Sequence, residues 1–197
     1  MLMWRSFTHW IGGRGVLVFI LAVLPLAGGY NIHIMRAESP GPSVGKLVPR
    51  VRTTAKILYL IYLFITVVQI ILLLFTDMPL FDSMAMSFGT AGTGGFGIVN
   101  SSCGDYTALQ QWIFTIFMIL FGVNFNVYHL LLLGKVKDAL KSEEVKAYLG
   151  IVITATVLIS INTFSRVTGL GTTVRNAFFQ VASIMTTSGF ATVDFNF

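Results

Sequence analysis

Charge is scarce in this sequence. Only 11% of its 197 residues are Asp, Glu, Lys or Arg, where soluble domains carry about 25%. Cysteine is scarcer still: the single thiol, Cys103, has no intrachain partner, so no disulfide framework staples the chain and redox compartment is left open. The three histidines, His9, His33 and His129, have no companions at metal-ligand spacing. Paired carboxylates in a plausible pocket, a Ser-His-Asp set and a Cys/His cluster are all missing, so the expectation is that this is not an enzyme. The net charge of +5 does not point to nucleic acid, because the basic residues fall between apolar runs rather than along one face.

What the chain has instead is apolar length. With 55% hydrophobic residues in long runs, it reads as an all-α, multi-pass membrane protein whose first partner is the lipid bilayer. Residues 57–75 are interrupted only by Thr66 and Gln69, and 112–133 and 147–164 are two more expected spans. The second of these contains Gly122, Asn124 and Asn126, with the asparagines expected to hydrogen-bond between helices. Residues 16–27 form an apolar run too short to span alone. It reads either as a membrane helix beginning near Phe7, with Arg14 facing protein or water, or as the core of a signal peptide. Pro40-Gly-Pro42 and Pro49 punctuate a connector over 36–56. That connector and residues 135–146 hold nine of the 13 Lys and Arg residues. By the positive-inside rule both connectors are cytoplasmic.

Glycine is abundant, and its placement organises the rest. Gly89-Thr-Ala-Gly-Thr-Gly-Gly-Phe-Gly97 lies between apolar runs and carries no charge; Thr186-Thr-Ser-Gly-Phe-Ala191 answers it 94 residues later. Each follows a segment too short to span. Pro79, with Asp77 before it and Asp82 after it, marks the start of a short helix over 79–90, and 174–185 is its counterpart. Shifting the chain by 94 superposes span on span, short helix on short helix and glycine segment on glycine segment. The repeats are therefore parallel, each unit being span, re-entrant helix, glycine segment and returning span. Irregular backbone at membrane depth is tolerated only where protein buries it or water lines it. Glycine permits consecutive carbonyls to face one way, and a row of carbonyl oxygens replaces the hydration shell of a cation such as K⁺.

At this point the residues resemble a known family. Thr-x-Gly-Phe after a re-entrant helix, twice in one chain, looks like the pore loop of the Trk/Ktr/HKT superfamily of potassium transporters. Trp4-Arg-Ser-Phe-Thr-His-Trp-Ile-Gly-Gly13, Ala37-Glu-Ser-Pro-Gly-Pro42, Lys46-Leu-Val-Pro-Arg50, Gly122-Val-Asn-Phe-Asn126 and Phe179-Gln-Val-Ala-Ser-Ile-Met-Thr-Thr-Ser-Gly-Phe-Ala-Thr192 carry the likeness over nearly the whole chain, which is close to bacterial Trk-type subunits. The resemblance implies potassium uptake across the inner membrane through a four-repeat, potassium-channel-like pore, with K⁺ as the transported ion and no other cofactor. It places the selectivity glycines at Gly95 and Gly189. Ion-binding carbonyls are expected on Thr93, Gly94, Gly95 and Phe96, and on Thr187, Ser188, Gly189 and Phe190. It also implies a homodimer and a cytoplasmic nucleotide-binding regulatory ring.

On this reading 1–36 are the returning helix of a first repeat, 37–56 a connector, 57–134 a complete second repeat with its filter near 92–97, 135–146 a connector, and 147–197 the front of a third with its filter near 186–191. Two quadrants do not enclose an ion path, so the chain is expected to be an internal fragment. The alternatives are a non-conducting structural or assembly module, and a secondary transporter of another solute. Gly92-x-Gly-x-x-Gly97 also fits a dinucleotide fingerprint, but the preceding strand and the acidic residue that motif needs are missing. His9 is read as a packing histidine, Asp194 as either a mouth carboxylate or a solvated one, and Asn100-Ser-Ser102 as a chance glycosylation triplet.

Overall fold

The computed structural model describes residues 1–15, 51–132, 134, 139, 142–164 and 169–193. Expectations for the rest of the first returning helix, for the connectors over 37–50 and 135–141, and for Asp194 lie outside the described residues, as do the side chains of Arg14 and Asn126. The described residues form helices without strands: α1 (Leu2–Trp10), α2 (Val51–Leu74), α3 (Leu80–Ala91), α4 (Ala108–Gly122), α5 (Phe125–Leu132), α6 (Glu143–Thr163) and α7 (Leu170–Met185).

Helix α2 covers Val51–Leu74 and so reaches six residues ahead of the expected 57. Ile61, Tyr62, Ile65, Thr66, Gln69 and Leu73 are buried, a stripe at helical spacing, while Leu60, Phe64, Val67 and Ile71 are exposed. Ile57–Leu74 and Glu143–Thr163 are long and apolar enough to cross a membrane, and Ala108–Gly122 is apolar but shorter. The α2 chain stops where Asp77 takes a left-handed conformation (φ 58°). Pro79 then caps α3 and Asp82 sits in its first turn, where the helix dipole favours a carboxylate.

The expected span over 112–133 is two helices. A capping box starts α4: the Gln110 backbone N–H donates to Thr107 Oγ1 while the Gln110 side chain accepts from the Thr107 N–H. Val123 is extended (ψ 145°) and breaks the helix. The break is stable because the freed carbonyls find donors. The Val123 N–H bonds the carbonyls of Ile119 and Leu120, the Tyr128 hydroxyl donates to Leu120 at 2.7 Å, and the Tyr148 hydroxyl donates to Ile119 at 3.4 Å. Helix α7 begins at Leu170, ahead of the expected 174, after Gly169 at φ 105°.

Two cores hold these helices. Leu73, Met86, Phe114, Met118, Phe179 and Phe190 pack between α2, α3, α4 and α7. Trp10, Tyr62, Phe117, Phe121 and Phe125 tie α1 to α2, α4 and α5. The Trp10 indole N–H donates to Thr66 Oγ1 at 3.2 Å and the Tyr62 hydroxyl donates to the Trp10 carbonyl at 3.0 Å. Thr66, an interruption in the apolar run, is thereby an inter-helix joint.

Candidate functional site: two paired glycine loops

The short helices α3 and α7 end alike. Gly92 closes α3 at φ −85°, ψ 2°, and Thr186 closes α7 at φ −93°, ψ 2°. Thr93 (φ 51°) and Thr187 (φ 57°) follow in the left-handed region, then Gly95 (φ 67°) and Gly189 (φ 80°). For a β-branched residue that conformation is strained by about 1–3 kcal/mol and persists only where the surroundings hold it. The bonds that hold it are the same in both loops. Gly94 N–H reaches back to the Gly89 carbonyl at 2.8 Å, and Ser188 N–H to that of Ser183 at 2.9 Å; Thr93 bonds Thr90, as Thr187 bonds Ile184.

The two loops meet at their glycines. A Cβ on Gly95 would collide with the Ser188 carbonyl oxygen and stand 3.2 Å from Gly189 Cα. A Cβ on Gly189 would lie 3.7 Å from Gly95 Cα. Sequence spacing alone did not place these residues against each other. The carbonyls of Thr93, Gly94, Gly95, Thr187, Ser188 and Gly189 accept no hydrogen bond from any described residue. Phe96 and Phe190, expected in the same row, differ: the Phe96 carbonyl also accepts no hydrogen bond from any described residue. The Phe190 carbonyl accepts from Ser183 Oγ at 2.6 Å, and the Phe96 carbonyl turns toward the equivalent position, 3.8 Å from where a Cβ on Gly89 would be.

Beneath the loops is a cavity of about 270 Å³. The ends of α3 and α7 open on it through Ala91, Thr93, Met185 and Thr187, and the break between α4 and α5 forms part of its wall through Gly122 and Phe125. Two helix C-termini facing one cavity bring partial negative charge to it.

Contacts that sequence reasoning missed hold the loop exits. Arg5 Nη2 donates to the Gly97 carbonyl at 2.9 Å. At the equivalent place in the second loop, Cys103 N–H donates to the Ala191 carbonyl at 2.8 Å and Ala191 N–H to Ser102 Oγ at 3.2 Å. Gln111 Nε2 steadies that turn through the Cys103 carbonyl at 2.9 Å. Burial pushes the Cys103 thiol up from 9.0 to about 12, against a small lowering by Ser102. His9 packs on the first loop, its ring 5.4 Å from that of Phe96.

Comparison with known proteins returns one consistent answer. The family model described as TrkH, cation transport protein, matches residues 1–164. The Trk system potassium uptake protein TrkH of Salmonella typhimurium is 35% identical over 97% of this chain and 41% of its own length. TrkH of Halomonas elongata is 31% identical over 99% of the chain and 41% of its length. Among solved structures, the potassium transporter TrkH from Vibrio parahaemolyticus superposes with a TM-score of 0.79 at 28% identity, covering 98% of this chain and 39% of that one. The chain thus spans about 41% of the length of the curated relatives it matches.

Proposed function

Because the chain belongs to the TrkH family of cation transport proteins, we propose that the whole protein takes up potassium across the bacterial inner membrane and that the two glycine loops are two quadrants of its four-part selectivity filter. The observation that carries this is the pair of loops meeting at Gly95 and Gly189 with the carbonyls of Thr93, Gly94, Gly95, Thr187, Ser188 and Gly189 free of donors among the described residues. A dehydrating K⁺ needs such oxygens, already oriented, in place of water. Ion contact falls to Thr93, Gly94, Gly95 and Phe96 and to Thr187, Ser188 and Gly189. Phe190 acts as a wedge, since its carbonyl is taken by Ser183, and the Phe96 ring holds the equivalent place beside Arg5 and His9.

In this scheme α3 and α7 are re-entrant pore helices, and the cavity receives a cation stabilised by their C-terminal dipoles. No fixed carboxylate is needed, which keeps binding loose enough for release. The basic connectors face the cytoplasm, the side on which the resemblance places a nucleotide-binding regulatory ring, and the transporter works as a homodimer.

The test is Rb⁺ uptake with competing Na⁺ by the intact protein carrying Gly95→Ser or Gly189→Ser. At Gly95 the side chain would have both a positive φ and the Ser188 carbonyl against it. Preference for K⁺ over Na⁺ is expected to fall in both variants. Wild-type preference in both would remove the filter assignment.

A further inference from the structure

The two phenylalanine rings hold equivalent places and have unlike surroundings. Phe190 is 1% exposed, within the core of Met86, Phe114 and Phe179. Phe96 is 54% exposed among the described residues, and its contacts come from α1. The Arg5 guanidinium carbon stands 5.3 Å from the Phe96 ring centroid, within cation–π range. The His9 ring lies 5.4 Å from the same ring and 2.9 Å from where a Cβ on Gly94 would stand. The same Arg5 donates through Nη2 to the Gly97 carbonyl. Helix α1 therefore grips the first loop at Gly94, Phe96 and Gly97.

The carbonyl at the exit is the telling one. Gly97 and Ala191 are equivalent, and each has its carbonyl taken by a donor outside its own loop. For Ala191 that donor is a backbone N–H, that of Cys103, which no substitution removes except proline. For Gly97 it is a side chain, Arg5. We propose that Arg5 is a positioning and specificity-determining residue of the first loop. It takes the Gly97 carbonyl out of the ion path and pins the Phe96 ring, so that the row of free carbonyls ends before Gly97.

Guanidinium chemistry suits the task. Its plane lies over an aromatic face while an N–H at its edge bonds an oxygen, and the bond is charge-assisted. A lysine ammonium carries the charge as a point and does not reproduce that geometry. Without the grip, the Gly97 carbonyl becomes a free ligand and the spacing above Gly95 loosens, which favours ions that the fixed row excludes.

This inference deepens the proposed filter and rests on it, so its test separates the two. Rb⁺ uptake with competing Na⁺ is measured in the intact transporter for Arg5→Gln, Arg5→Lys and Gly95→Ser, normalised to protein in the membrane. Arg5→Gln and Arg5→Lys are both expected to lower the K⁺/Na⁺ preference by about fivefold or more, the lower end of typical site-to-site coupling. Wild-type preference in Arg5→Gln, or full restoration by Arg5→Lys, would overturn the role of Arg5. If Gly95→Ser shifts preference while Arg5→Gln does not, the filter stands and the Arg5 inference alone fails. Should Arg5→Gln not reach the membrane, Phe96→Leu takes its place. It removes the ring face and keeps the arginine, and an unchanged preference there overturns the inference equally.

Discussion

Gly122 is a small residue with a large constraint. A Cβ there would meet the Tyr148 hydroxyl and stand 2.7 Å from Thr186 Cγ2, whereas a Cβ on Gly150 meets nothing within 4 Å. Gly122→Ala is therefore expected to destabilise by about 1–3 kcal/mol through overpacking. Gly150→Ala, inside helix α6, is expected to be neutral or stabilising by up to about 1 kcal/mol. Thermal unfolding of the two variants in detergent reads the difference.

Cys103 is constrained by burial. It is buried in the turn beyond the first loop, its thiol raised from 9.0 to about 12 by burial. Maleimide at pH 8 is expected to leave it unmodified in the folded protein and to label it on denaturation, as mass spectrometry would report. Between pH 9 and 12 the unfolded chain loses the thiol proton and the folded chain keeps it. Stability from this group is therefore complete below 9 and is lost as pH rises through that window.

At the scale of the element, α4 depends on how it starts. Thr107 and Gln110 close a capping box, and Gln110 Nε2 also donates to the Thr76 carbonyl at 3.2 Å, tying the start of α4 to the end of α2. Thr107→Ala is expected to cost about 1 kcal/mol, seen as a lower thermal midpoint without change in K⁺/Na⁺ preference, since Thr107 touches neither loop. The other end of α4 is decided by tertiary contact. Composition reads 112–133 as continuous helix, because Val123 and Asn124 are no breakers. The hydroxyls of Tyr128 and Tyr148 supply donors to the carbonyls at the break. Tyr148 comes from α6, far along the chain, so no local pattern could have announced it.

For the whole molecule the question is orientation. The Lys and Arg content of the two basic connectors predicts that they lie on one side, and on that prediction the repeats are parallel. Single cysteines introduced over 40–46 and over 136–142 are expected to react with a membrane-impermeant maleimide only when the cytoplasmic face is open. Labelling of the two connectors from opposite faces would make the repeats inverted. Cys103 itself is buried, which keeps the background low. Ile151, Ile153, Leu158 and Ile161 leave α6 with an exposed apolar surface on a helix long enough to cross a membrane.

By itself the sequence determined the helical class, and it pointed to a short helix before each glycine segment and to a repeat at 94. These rest on local signals: apolar length, Pro79 with Asp82, and Thr-x-Gly-Phe. It also singled out Gly95 and Gly189. Only the tertiary structure decided that these glycines face each other, that the Phe190 carbonyl turns back to Ser183, and that α1 holds Gly97 through Arg5. The physical reason is range. A backbone preference is written in neighbouring residues, but which oxygen stays free depends on donors brought from distant segments. Arg5, 92 residues from the carbonyl it holds, carries no local mark of that task.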